Sequence, residues 1–160
     1  MPNTRIFKLR RPVAVPTLRL PCLRETATAL LRALSVGSAS AQDIARIIVL
    51  DPVLVFELLL TAPLGDTEAA CILDAVTRRL EDIDSGLLQA WALRHIIQQP
   101  RLRVGGRSHR HYILHSQFVA ELAEHLAHET GYPDPEQAYA TGLFHDLGLL
   151  WLAEYADDYP

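Results

Sequence analysis

From Arg24 onward, apolar residues return at spacings of three and four, and no stretch alternates cleanly with polar residues over the length of a strand. Such spacing lines one side of a helix with apolar side chains, so the pattern predicts an all-α fold, a multi-helix bundle. LRETATALLRAL is a first amphipathic helix, stopped near Gly37. SASAQDIARIIVL begins a second, with Ser40 as N-cap and Asp43 three residues on, burying Ile44, Ile47 and Ile48 or their neighbours. Asp51 and Pro52 supply a cap and a first helical position to DPVLVFELLL, because the missing proline N–H is not needed there. GDTEAACILDAVTRRL and SGLLQAWALRHII follow, with Asp66 and Ser85 as starts and EDID as the turn between them.

The series is interrupted once, at QQPRLRVGGRSHR, where Pro100 and Gly105-Gly106 mark a loop. The longest helix then covers residues 110–130 and closes on Gly131. YPDPEQAYATGLFHDLGLLWLAEYA restarts on Asp134 and Pro135 and reads as one helix almost to the end. The expected organisation is a basic arm (1–22), a helical half (23–99), a loop (100–109) and a second helical half (110–160). On the 110–130 helix, His111 and His115 share a face with Phe118, Val119, Leu122 and Leu126 and are expected to point inward. His128 falls with Gln117, Glu121 and Glu124 on the polar side, and His125 at its boundary; both are expected to face solvent.

Composition narrows the class. A chain of 160 residues, 49% of them hydrophobic, can bury one substantial core. Cys22 and Cys71 are too few for a disulfide framework and have no zinc-finger spacing, which fits a reducing cytoplasm. MPNTRIFKLRRPVAVP is basic but lacks the apolar core of a signal peptide, and VLVFELLLTAPL is short and contains Glu57, so no membrane span is expected. The net charge of −4 argues against wholesale nucleic-acid binding. Between Asp84 and Glu121, however, there is no acid, while Arg94, Arg101, Arg103, Arg107 and Arg110 lie there with four histidines. That segment is either a solvated surface or a phosphate-binding one formed by Arg101, Arg103, Arg107 and Arg110.

The candidate chemistry sits in ATGLFHDLGLLWL. An ionised Asp146 in an apolar run needs a compensating partner. A divalent metal shared with His145 and His115 would provide one, and so would hydrogen bonds that join helices. Beyond it, Leu149, Trp151, Leu152 and Tyr155 form an expected apolar interface for a protein partner, a downstream signalling domain or a second copy.

LHSQFVAELAEHLAHETGYPDPEQAYATGLFHDLGLL resembles the signature region of the HD superfamily of metal-dependent phosphohydrolases, whose ligands run His, then His-Asp, then a distant Asp. The resemblance maps the first ligand to His115 and the doublet to His145 and Asp146. LRLPCLRETATALLRAL, SAQDIARIIVLDPVLVFELLL and ILDAVTRRLEDIDSGLLQAWAL look like the N-terminal half of the HDOD domain, the HD-related output domain of bacterial signalling proteins. Together these stretches cover most of residues 15–156. Three departures weigh against catalysis. The catalytic HD-GYP phosphodiesterases carry Gly-Lys after the doublet, whereas here Gly148 precedes Leu149; TAP replaces the Asn-Ser of many HDOD domains; and Asp157 and Asp158 lie too near the end to match the distant aspartate. The resemblance therefore implies a non-catalytic bacterial signal-transduction module, acting by protein–protein interaction and conformational relay, with a vestigial ligand set and no cofactor. The alternatives are a metal-dependent phosphohydrolase or cyclic-dinucleotide phosphodiesterase, with divalent metal on His115, His145 and Asp146, and a nucleotide or nucleic-acid binder through residues 101–110.

Overall fold

In the computed structural model, which describes residues 20–60, 71–97, 103–104 and 107–155, helices begin and end where neighbouring groups satisfy their free backbone ends. α1 (Arg24–Val36) closes on Gly37 at φ 70°, a left-handed position open to glycine. α2 (Ala41–Ile48) opens with reciprocal bonds, the Ser40 hydroxyl accepting from the Asp43 N–H and the Asp43 carboxylate from the Ser40 N–H. α3 (Pro52–Leu60) is capped by Asp51, whose Oδ1 accepts from the Val53 N–H at 3.0 Å. α4 (Ile72–Glu81) starts on Cys71, with Sγ 3.4 Å from the Asp74 N–H; Asp66, the expected start, lies outside the described residues. α5 begins at Ser85 as expected and runs to Ile97, but the side chain that accepts its free N–H groups, from Gly86 and Leu87, belongs to Asp84.

Between α5 and α6 (His109–Thr130) lies a small antiparallel hairpin, β1 (Arg103–Val104) and β2 (Arg107–Ser108). Arg103 pairs with Ser108 and Val104 with Arg107. Strands of two residues leave no alternation to read in a sequence. The rest of the described fold is helical, so the molecule is all-α in architecture. α6 closes on Gly131 at φ 68°, and α7 (Pro135–Phe144) opens on Asp134, whose carboxylate takes the Gln137 N–H at 2.9 Å. α3 is apolar almost all round, as a core helix must be, and buries Val53, Leu54, Val55 and Leu58. α1 packs on α5 and α2 on α4, while α6 and α7 form the most extensive helix pair. Phe56 of α3 meets Phe144 of α7 with ring centroids 6.0 Å apart, and the Gln117 side chain of α6 donates to the Leu50 carbonyl.

Two expectations are overturned. The inward face of α6 carries Ile113, Ser116, Ala120 and Ala127, whereas His111, His115, Phe118, Leu122 and Leu126 are exposed and Val119 is half-buried. Small residues won the interior because they let the backbones approach: a Cβ added at Gly142 of α7 would lie 2.7 Å from the Ala120 Cα. A face of large apolar residues could not pack that closely. The final helix is also two helices, α7 and α8 (Leu147–Tyr155), with His145 and Asp146 in the turn between them. His145 Nδ1 lies 2.7 Å from the Gly142 carbonyl, a local side-chain bond of the kind that competes with helix continuation.

Candidate metal-ligand cluster

The break between α7 and α8 is what brings the three expected ligands together. α6 presents His115 two turns from its start, and the turn presents His145 and Asp146 opposite it. One potential ligand atom from each residue lies within 4.8 Å of the others. Asp146 Oδ2 stands 3.1 Å from His145 Nε2 and 3.7 Å from His115 Nε2, and the two imidazoles meet edge to face at 5.3 Å. The His111 ring stacks behind His115 at 6.4 Å. The side chains of His115, His145 and Asp146 are 44, 31 and 21% exposed, so the cluster is open to solvent on one side rather than sealed in the core.

The tautomer of His145 gives the cluster its chemistry. A carbonyl oxygen only accepts, so Nδ1 must carry the proton donated to Gly142. In neutral imidazole that leaves a lone pair on Nε2, facing a carboxylate oxygen that also carries lone pairs. Two acceptors 3.1 Å apart call for a cation between them, either a second proton on His145 or a metal ion. An N–H to backbone carbonyl bond behind a free ring nitrogen is also how proteins orient metal-bound histidines. His115, His145 and Asp146 therefore fit a divalent ion of the kind that takes nitrogen and oxygen ligands.

The other expected sites are less gathered. Arg101 lies outside the described residues, and Arg103 and Arg107 are paired with residues other than each other in the hairpin. Arg110 reaches Glu25 at 3.3 Å, both side chains being largely exposed. In α8, Trp151 is 38% exposed, Leu149 and Leu152 are half-buried, and the Tyr155 side chain lies outside the description.

The HDOD domain family matches residues 68–160. This chain belongs to that family. The matched part of the HDOD chain holds the whole cluster and begins after α3. No curated protein and no solved structure matches it. Among the described residues, no helix is long and apolar enough to cross a membrane.

Sequence reasoning missed two buried polar centres of this HDOD chain. In the first, Glu57 of α3 is buried, and its Oε2 accepts from Trp91 Nε1 at 3.2 Å, Arg94 at 2.6 Å and His95 Nε2 at 3.1 Å, all on α5. Oε1 of Glu57 is buried without a partner among the described residues. The signal available was a lone acid in an apolar helix, which has to be met by something. The second centre holds the extended segment before α1. Asp51 is fully buried and accepts the Leu23 N–H at 2.6 Å, and burial pushes its carboxyl up to about 6 against the pull of its backbone N–H donors. His109 bonds the backbone of Pro21, and burial pushes its imidazole down to about 4. Burial also raises the Cys22 thiol, helped by the nearby Asp51 and Glu57 carboxylates, so this thiol is not a reactive one.

Proposed function

We propose that this HDOD chain is a non-catalytic signal-transduction module of the bacterial cytoplasm, acting through contact with other protein surfaces. The observation that carries this reading is a contrast on α6. The ligand set among the described residues stops at His115, His145 and Asp146, while the outer face of the same helix exposes Leu114, Phe118, Leu122 and Leu126. Hydrolysis of a phosphodiester needs a held metal, an oriented water and a group that stabilises charge on the leaving oxygen. A continuous apolar ridge needs a covering protein. Phosphodiester turnover of an aryl phosphodiester and of a cyclic dinucleotide, measured with added manganese, iron(II) or zinc, should be no faster for the wild type than for Asp146→Asn. Metal-dependent turnover that Asp146→Asn abolishes would overturn the reading.

One observation favours a second reading, the metal-dependent phosphohydrolase. The Nε2 lone pair of His145 faces a carboxylate oxygen of Asp146, a donor pair suited to a cation, and a divalent ion held by His115, His145 and Asp146 would supply a water of lowered pKa. The same turnover assay decides between the two. Salt-sensitive retention of nucleic acid would instead favour the cationic segment as the working surface.

A further inference from the structure

The outer face of α6 says more than that a partner exists. Leu114, Phe118, Leu122 and Leu126 are 48, 64, 43 and 51% exposed and follow one another at every fourth residue. Such a row advances about 40° round the helix at each step, so that its C-terminal end, at Leu126, borders α7. On that side lies a groove of about 540 Å³ between α6 and α7, walled by Val119, Ala123, Leu126, Ala138, Thr141 and Gly142. A projecting ridge thus lies directly beside an apolar furrow floored with small residues.

Ridge and furrow are complementary to themselves. The row is symmetric about residue 120, so an antiparallel copy brings Leu114 opposite Leu126 and Phe118 opposite Leu122. Each Phe118 then overhangs the partner's furrow beside Val119 and Ala123. Charge follows the same register. The first two turns of α6 carry Arg110 and no acid, whereas its second half carries Glu121, Glu124 and Glu129 and no arginine or lysine, and histidines occur in both halves. Antiparallel pairing brings the Arg110 end of one helix beside Glu129 of the other, while parallel pairing sets the glutamates of the two second halves side by side. A face that matches itself in shape and in charge needs only a two-fold axis to be covered.

We propose that this chain forms an isologous dimer through the outer face of α6, the two helices antiparallel about residue 120 and each Phe118 seated in the partner's α6–α7 groove. The inference goes beyond the signalling reading, since it requires only the geometry of α6 and holds whether or not the module relays anything. Sedimentation of the full 160-residue chain should give the mass of two chains. Phe118→Glu should raise the dissociation constant by about a hundredfold or more while leaving helical circular dichroism unchanged. Register is read by cross-linking in a Cys71→Ser background, where serine keeps the cap of α4. Under mild oxidation a mixture of His111→Cys and Glu129→Cys chains should cross-link, and His111→Cys alone should not. A chain monomeric at all concentrations would overturn the proposal and leave the ridge to a different protein. A dimer that survives Phe118→Glu, or that cross-links through His111→Cys alone, would overturn it too.

Discussion

Replacing Glu57 by alanine tests whether α3 and α5 are held together by a shared buried charge. The carboxylate is 8% exposed, and its Oε2 takes three donors. Removing it takes one acceptor from His95, 5% exposed, strands the Trp91 indole N–H, and releases Arg94, which at 35% exposure recovers part of its hydration. A neutral donor left unsatisfied costs about 1–3 kcal/mol, and a half-solvated arginine adds less than a sealed one would. The expected loss is therefore about 3–4 kcal/mol, a large part of the roughly 5–15 kcal/mol that holds a domain folded. Glu57→Gln should cost less, about 1–2 kcal/mol, because its carbonyl can keep the Oε2 position while the amide takes the unpartnered Oε1 position. Urea unfolding followed by circular dichroism at neutral pH reads both numbers from the midpoint shift. A loss below about 1 kcal/mol for the alanine variant would show that the cluster breaks even against its own desolvation.

Three further outcomes are expected. Asp51, raised to about 6 from 3.8, contributes stability that is full below pH 3.8 and lost as pH rises through 6; His109, lowered to about 4 from 6.5, contributes stability present above 6.5 and lost as pH falls through 4. The slopes oppose, so relative to the wild type the unfolding free energy between pH 4 and 6 should fall on acidification in Asp51→Asn and rise in His109→Gln; two variants that both follow the wild type would refute the two burial shifts. Gly142→Ala should cost about 1–3 kcal/mol by thermal unfolding, because its Cβ would meet backbone atoms of Val119 and Ala120 at 2.7–2.9 Å that cannot turn aside, and an unchanged or raised melting temperature would contradict the close approach. Asp146→Asn should change stability by less than about 1 kcal/mol, since the cluster is part-exposed, and should abolish any binding of zinc or manganese that calorimetry finds in the wild type. A larger destabilisation would make the carboxylate a structural post.

What could be read from the sequence was local. Ser40 with Asp43, Asp51 with Pro52, and Asp134 with Pro135 act within a few residues of one another, so their caps were visible before any fold was known. The trio His115, His145 and Asp146 was also found, through the family pattern, and the structure gathers it. The partners of Glu57 lie 34–38 residues away, and no spacing rule reaches that far. Bulk points to the wrong face of α6, because the pairing with α7 selects for Ala120 and Gly142, which have little of it. The turn at His145 was hidden because the apolar run continues through it.

Gly142 has a consequence beyond packing. Its missing side chain sets how near α7 comes to α6, and its carbonyl fixes the direction of the His145 ring, so two coordinates of the cluster are referred to a single rung. Any load that pries the helices apart at that rung widens the gap from His115 to Asp146 and swings the imidazole in the same motion. The geometry of the trio is thereby tied to helix separation at Gly142, and the imidazole resonances of His115 and His145 should register, in solution and without turnover, any change that parts the helices there.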